Sequence, residues 1–130
     1  MPPSPVQSPQ TSRYQEKREA ILSAAALLFN EQGVKGATLS GIAGSVGLVT
    51  NSVTYYYRKK EDLATACFLR SIAAFDTLAE TAAKEASVPA RLKAFFRLHA
   101  QLLADIEEGR HAPIVQFNDI RALPEAQPDA

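Results

Sequence analysis

TLSGIAGSVGLVTNSVTYYYRKKEDL, residues 38–63, divides into two short helical segments around a glycine and leaves through a basic run. In the first segment Leu39, Ile42, Ala43 and Val46 recur at spacings of three and four, which places them on one helix face. Gly47 ends that pattern, and glycine reaches the positive φ of a tight turn without a Cβ clash. In the second segment Val53 and Tyr57 keep an inward i, i+4 stripe, leaving Thr50, Asn51, Ser52, Thr54 and Tyr55 largely outward. Arg58, Lys59 and Lys60 follow at once. Two short helices joined by a tight Gly-containing turn form a helix-turn-helix. Hydroxyls and amides suit base edges and phosphates, and lysines suit phosphate charge, so duplex DNA is the partner this surface points to.

The flanking segments extend an all-α reading. A first helix is expected over about 13–31, with Ser12 and Gln15 as a capping box and Ile21, Ala24, Ala25, Leu28 and Phe29 facing inward. Gly33 is a fitting C-terminal stop, and Thr38 is the expected N-cap of the second helix. That helix carries Gly41 and Gly44, each costing about 1 kcal/mol against Ala, so packing must hold it. A third helix is expected over about 50–56. A long fourth runs from about Lys60 to Ala86, with Leu63, Ala66, Cys67, Ile72, Phe75 and Leu78 as its apolar positions. A fifth spans about 88–108, with Ser87 as cap, Pro89 in its first turn and Gly109 at its end. Leu92, Phe95, Phe96, His99, Leu102, Leu103 and Ile106 make its stripe. A sixth is expected over about 113–123, showing Ile114, Phe117, Ile120 and Leu123 before Pro124.

Composition fits this reading. Apolar residues make up 46% of the 130, and no run is long enough to span a membrane. The uncharged MPPSPVQSPQTS start has no apolar core and is not a signal peptide, so a cytoplasmic protein is expected. It reads instead as a disordered arm over residues 1–12. The single Cys67 can form no internal disulfide and reads as a small buried hydrophobe. Net charge is zero, yet it is unevenly spread. Residues 1–60 hold seven Lys and Arg against three acids, giving +4; residues 61–130 hold seven against eleven, giving −4. A basic head on an acidic body suits a DNA-binding module joined to one that does not bind DNA.

From about Tyr14 to Ala74 the chain resembles the TetR family of bacterial transcription regulators. The likeness rests on REAILSAAALLFNEQG (18–33), VKGATLSGIA (34–43), the turn Gly47-Leu48, SVTYYY (52–57) and Lys60-Glu61-Asp62-Leu63, in order and almost without gaps. The resemblance implies a three-helix DNA-binding head over 13–60, extending to about 74, with its helix-turn-helix at about 37–56. A long connecting helix then leads into a partial regulatory body over 61–123, with a tail at 124–130. It also implies that the third helix enters the major groove with its N-terminal residues at base edges. Carried over by position, Thr50, Asn51, Ser52, Thr54 and Tyr55 reach bases or nearby phosphates. Tyr56 and Lys60 hold phosphates, and Thr38 and Ser40 approach from the second helix. Tyr57 stands where the family usually has Phe and is expected in the core.

Three departures bear on those contacts. Val49 replaces the usual Ser or Thr cap, so Thr50 is expected to take over and the helix to start one residue later. Thr54 replaces a Tyr, and Lys59 replaces a capping Ser or Asn. Glu61 and Asp62 in the next first turn still favour the helix dipole.

The resemblance further implies a homodimer on a palindromic operator, with half-sites about 34–36 Å apart. It implies release from DNA by a small-molecule effector bound in the body. His99, Phe96, Leu103 and Phe117 are the candidate ligand residues; His99 reads either as a satisfied core histidine or as a pocket imidazole. Family members usually carry further helices that close the pocket and form the dimer interface, so the expectation is a fragment of a longer protein. No cofactor is implied. His99 and His111 lack a recognised metal spacing, and no glycine-rich phosphate loop follows a strand, which argues against an enzyme. The alternative is a helical protein-interaction module without specific DNA binding, which leaves TNSVTYYYRKK unexplained. Salt-sensitive retention on heparin separates the two.

Overall fold

The computed structural model describes residues 9–115, and the expected sixth helix from residue 116 onward lies outside them. The described residues form five helices: α1 (Pro9–Gly36), α2 (Leu39–Ser45), α3 (Thr50–Tyr56), α4 (Lys60–Ala82) and α5 (Val88–Glu107). No strand occurs among them, in agreement with the all-α expectation.

The first helix starts earlier than its capping signal suggests. Ser12 lies inside α1, so the Ser12/Gln15 capping box is not the start. Proline in a first helical turn loses no internal hydrogen bond and brings a suitable φ, which lets Pro9 open the helix. The glycine stop falls where expected, at Gly33 with φ 75° and ψ 164°. The chain then makes one more helical turn through Gly36, tied by Ala37 N–H donating to Gly33 C=O at 3.0 Å. That turn buries Val34 and Ala37.

The head core is built by α1, α2, α3 and the first half of α4. Ile21, Ala25, Phe29, Ile42, Val53 and Leu63 are buried in one cluster, with Tyr57 at its edge. The glycine-bearing α2 is held as its weak propensity requires, by tertiary burial of Ile42 and Ala43. Cys67 sits in the same cluster and donates its thiol to Leu22 C=O at 3.5 Å. Burial pushes its pKa up to about 12, so it behaves as a small hydrophobe.

The body is thinner. The second half of α4 and α5 run as a hairpin whose buried side chains are Leu78, Ala82, Ala94 and Leu102. The fourth helix ends at Ala82 rather than Ala86, because residues 83–87 form the reversal that Ser87 and Pro89 then convert into α5. Ser87 accepts from Ala90 N–H as the expected cap. Ile72, expected inward, is exposed; Phe68 and Ser71 take the buried positions instead.

After α5 the chain does not enter a helix at Pro113. Residues 112–115 are irregular and return to the head. Val115 is buried in the head core, and its N–H donates to the buried Ser71 hydroxyl at 2.9 Å. Ser71 in turn donates to Cys67 C=O at 3.0 Å. Arg70 donates to Pro113 C=O at 3.2 Å and pairs with Glu19 of α1 at 2.9 Å, while Asn30 donates to Ile114 C=O at 2.7 Å. Side chains of α1 and α4 thus satisfy backbone groups of this strap that a helix would have satisfied internally.

Candidate nucleic-acid interface

The turn between α2 and α3 has a complete Schellman geometry. Leu48 N–H donates to Ala43 C=O at 2.9 Å and Gly47 N–H to Gly44 C=O at 3.2 Å, with Gly47 at φ 69°. Leu48 packs against the core, which fixes the angle at which α3 leaves. Thr38 caps α2 as expected, its Oγ1 accepting from Gly41 N–H at 3.0 Å. Its hydroxyl hydrogen is still available to a phosphate.

The third helix spans Thr50–Tyr56 with Val49 in the extended cap position and no side-chain cap bond. The expected shift of its start does not occur, and Thr50 is already helical. Tertiary contact through the fully buried Val53 holds the helix without a cap. Asn51 and Tyr55 are exposed, while Thr50, Ser52 and Thr54 are half-buried. Thr54 donates to Asn51 C=O at 3.0 Å, so its hydroxyl is spent locally and only its lone pairs remain for a partner. Ser40 is exposed on α2. At the start of α4, Lys60 donates one ammonium hydrogen to Lys35 C=O at 3.2 Å. That bond pins the side chain beside the helix and leaves two donors.

Two residues of α1 join this face without having been singled out in the sequence. Tyr14 packs on Tyr56 at 4.9 Å and on Tyr55 at 6.3 Å between ring centroids; Tyr55 and Tyr56 meet edge to face at 5.2 Å. Lys17 lines one cleft of about 420 Å³ together with Asn51, Ser52, Tyr55 and Tyr56. Tyr14 precedes Arg18 by four residues and Ile21 by seven, so the inward stripe of α1 extended one turn back was the available signal. The same stripe sets Arg18 over the Tyr57 ring, 5.7 Å from its centroid. Tyr57 is core, as expected, and its hydroxyl is buried with no hydrogen-bond partner among the described residues. Burial is the main cause of its raised pKa.

The candidate ligand residues fall differently. His99 lies between Phe75 and Phe95, at 5.6 and 6.3 Å between ring centroids. Phe96 and Leu103 are exposed, and Phe117 lies outside the described residues. None of the three described residues lines either of two clefts between α4 and α5. One is lined instead by Leu78, Thr77, Thr81, Leu102, Gln101 and Asp105, among others, and the other, nearer the reversal, by Ala79, Ala82, Val88, Arg91, Leu92 and Phe95, among others. The reason is angular. At about 100° per residue, Ala94, Leu98, Gln101, Leu102 and Asp105 cluster on the arc facing α4, while Phe96 and Leu103 lie on the far side. The apolar stripe of α5 is wider than the face that packs.

No group of three or more His, Cys, Asp or Glu suited to a metal occurs among the described residues. None of the described helices is long and apolar enough to cross a membrane. Residues 21–67 match the family model described as bacterial regulatory proteins, tetR family. No curated protein and no solved structure matches the chain.

Proposed function

We propose that this chain, which carries over residues 21–67 the N-terminal part of a TetR-family bacterial regulator, represses transcription by placing α3 in the major groove of a palindromic operator. One observation carries this reading. The α2–turn–α3 unit is held rigidly from behind by Val53, Ile42 and Leu48, while Asn51 is exposed on its outer face beside Tyr55, itself exposed and braced edge-on by Tyr14 and Tyr56. A rigid support with free polar side chains is what base-edge recognition needs. Thr50 and Ser52 lie beside them. Thr38, Ser40, Thr54, Tyr56 and Lys60 supply hydroxyls and charge around the rim, for phosphates. Lys17 and Tyr14 widen that rim on the α1 side.

Two copies bound to one operator would read half-sites about one helical turn apart. A small-molecule effector in the body would then act through α4, whose first turns are head and whose last turns are body. Selection from a random duplex pool is the direct test, and an enriched palindrome with that spacing is the expected result. With the operator in hand, Lys60→Ala should weaken binding to all sequences alike and flatten the salt slope by about one unit. Asn51→Ala or Tyr55→Ala should cost roughly 1–3 kcal/mol at the matched base and relax preference there. Unchanged affinity and salt slope in Lys60→Ala would refute the phosphate contact. Retention on heparin that ignores salt would favour a protein-interaction module.

A further inference from the structure

The cleft between α4 and α5 has a chemical bias of its own. Ala74, Leu78, Leu98 and Leu102 give it an apolar floor, and its polar groups are Thr77, Thr81, Gln101, Asp105 and His111. Its volume of about 280 Å³ lies just below the range of drug-sized ligand sites, roughly 300–1,000 Å³, and suits a smaller molecule. Each of these polar groups except the carboxylate already gives a hydrogen to the protein. Thr77 donates to Ala73 C=O at 3.1 Å and Thr81 to Thr77 C=O at 3.0 Å. Gln101 donates to Asp105 Oδ1 at 3.0 Å. His111 Nδ1 faces Ala112 C=O at 2.7 Å. A carbonyl can only accept, so Nδ1 carries a hydrogen.

What these side chains still offer is therefore almost wholly acceptor capacity. It comprises two hydroxyl oxygens, the Gln101 carbonyl and the Oδ2 oxygen of Asp105. The second N–H of Gln101 is the remaining donor. Charge points the same way. Hydrogen bonds from Gln101 and from Arg110 hold Asp105 below the usual carboxylate range, so it is ionised. Arg110 gives Asp105 Oδ1 two of its N–H groups, at 3.0 and 2.8 Å, and a third to Glu108. One guanidinium is thus shared by two carboxylates, and the cluster keeps a net negative charge.

We infer that this α4–α5 cleft binds a small organic cation, an amine whose N–H groups meet Asp105 and Gln101 while an apolar body lies on Leu78, Leu98 and Leu102. This names the effector class and rests on the proposed function only in calling the ligand an effector; the binding itself is independent of DNA.

Three probes with one body test it by calorimetric titration of the full chain without DNA: 4-phenylbutylamine, 4-phenylbutan-1-ol and 4-phenylbutyrate. The amine should bind at least tenfold more tightly than the carboxylate, with the alcohol between them. Asp105→Asn should weaken the amine tenfold or more and bring it level with the alcohol. Thr81→Leu fills the cleft from an exposed position of α4, clear of the Asp105–Arg110 contact, and should weaken all three. Carboxylate binding equal to or tighter than amine binding would overturn the inference. So would an unaltered amine affinity in both variants, or no amine binding at millimolar concentration. An amine that binds the cleft yet leaves operator affinity unchanged would instead refute the effector role and keep the ligand class.

Discussion

The head and the body of this chain pack their helices to opposite ends. Four elements converge on the head, and residues such as Ile21, Ile42, Val53 and Leu63 are fully enclosed. Among the described residues two helices build the body, and Leu92, Phe96 and Leu103 on α5 are exposed at 55%, 66% and 48%. The head spends its packing on fixing one surface, the outer face of α3. The body keeps an open cleft and an unburied apolar flank. On the proposed function, a rigid head joined to a loosely packed body would let a small event in the body move the head without reshaping it. Helix α4 belongs to both, and the strap through Pro113–Val115 adds a second connection.

The contrast can be broken by mutation. Ile42→Ala in the head should cost about 3 kcal/mol or more in chemical denaturation, because a site enclosed on every side cannot collapse around the cavity. Leu102→Ala beside the body cleft should cost no more than about 2 kcal/mol. Equal losses would mean that the two cores are equally tight. Next in size is Gly33→Ala. Its φ of 75° with ψ of 164° is a region that only glycine occupies freely, so the substitution should cost roughly 1–3 kcal/mol of head stability.

Ser71→Ala tests the strap. It leaves the buried Val115 N–H without its acceptor, a loss of about 1–3 kcal/mol. Hydrogen exchange should accelerate at Val115 while α2 and α3 stay protected. Unchanged exchange at Val115 would show that Ser71 does not hold the strap to the head. The smallest expected effect is Tyr57→Phe. Removing a buried hydroxyl without a partner should leave stability unchanged or raise it by up to about 1 kcal/mol. A clear loss would reveal a hydrogen bond to that hydroxyl.

The same contrast explains what could be read in advance. Thr38, Gly47, Ser87 and Gly33 act through bonds and dihedrals within a few residues of themselves, so caps, turn and helix order were legible as sequence. The α1 start was less so, because Ser12 looked like a cap while the chain upstream of it was already helical. The missing cap at Val49 suggested a shifted helix, yet Val53, fully buried in the head core, kept the start in place. His99, Phe96 and Leu103 were the natural ligand candidates because they share an apolar stripe. Their positions on α5 turned out to lie away from the cleft.

The sequence by itself determined the local grammar of the head: which residues cap, which glycine turns, and which face of α3 is polar. These depend on short-range sterics and hydrogen bonds that each residue carries with it. Only the tertiary structure decided which arc of α5 meets α4, that Lys17 and Tyr14 join the α3 face, and that Val115 returns to Ser71. Periodicity fixes a side chain's angle about its own helix axis, but says nothing of which neighbour arrives at that angle.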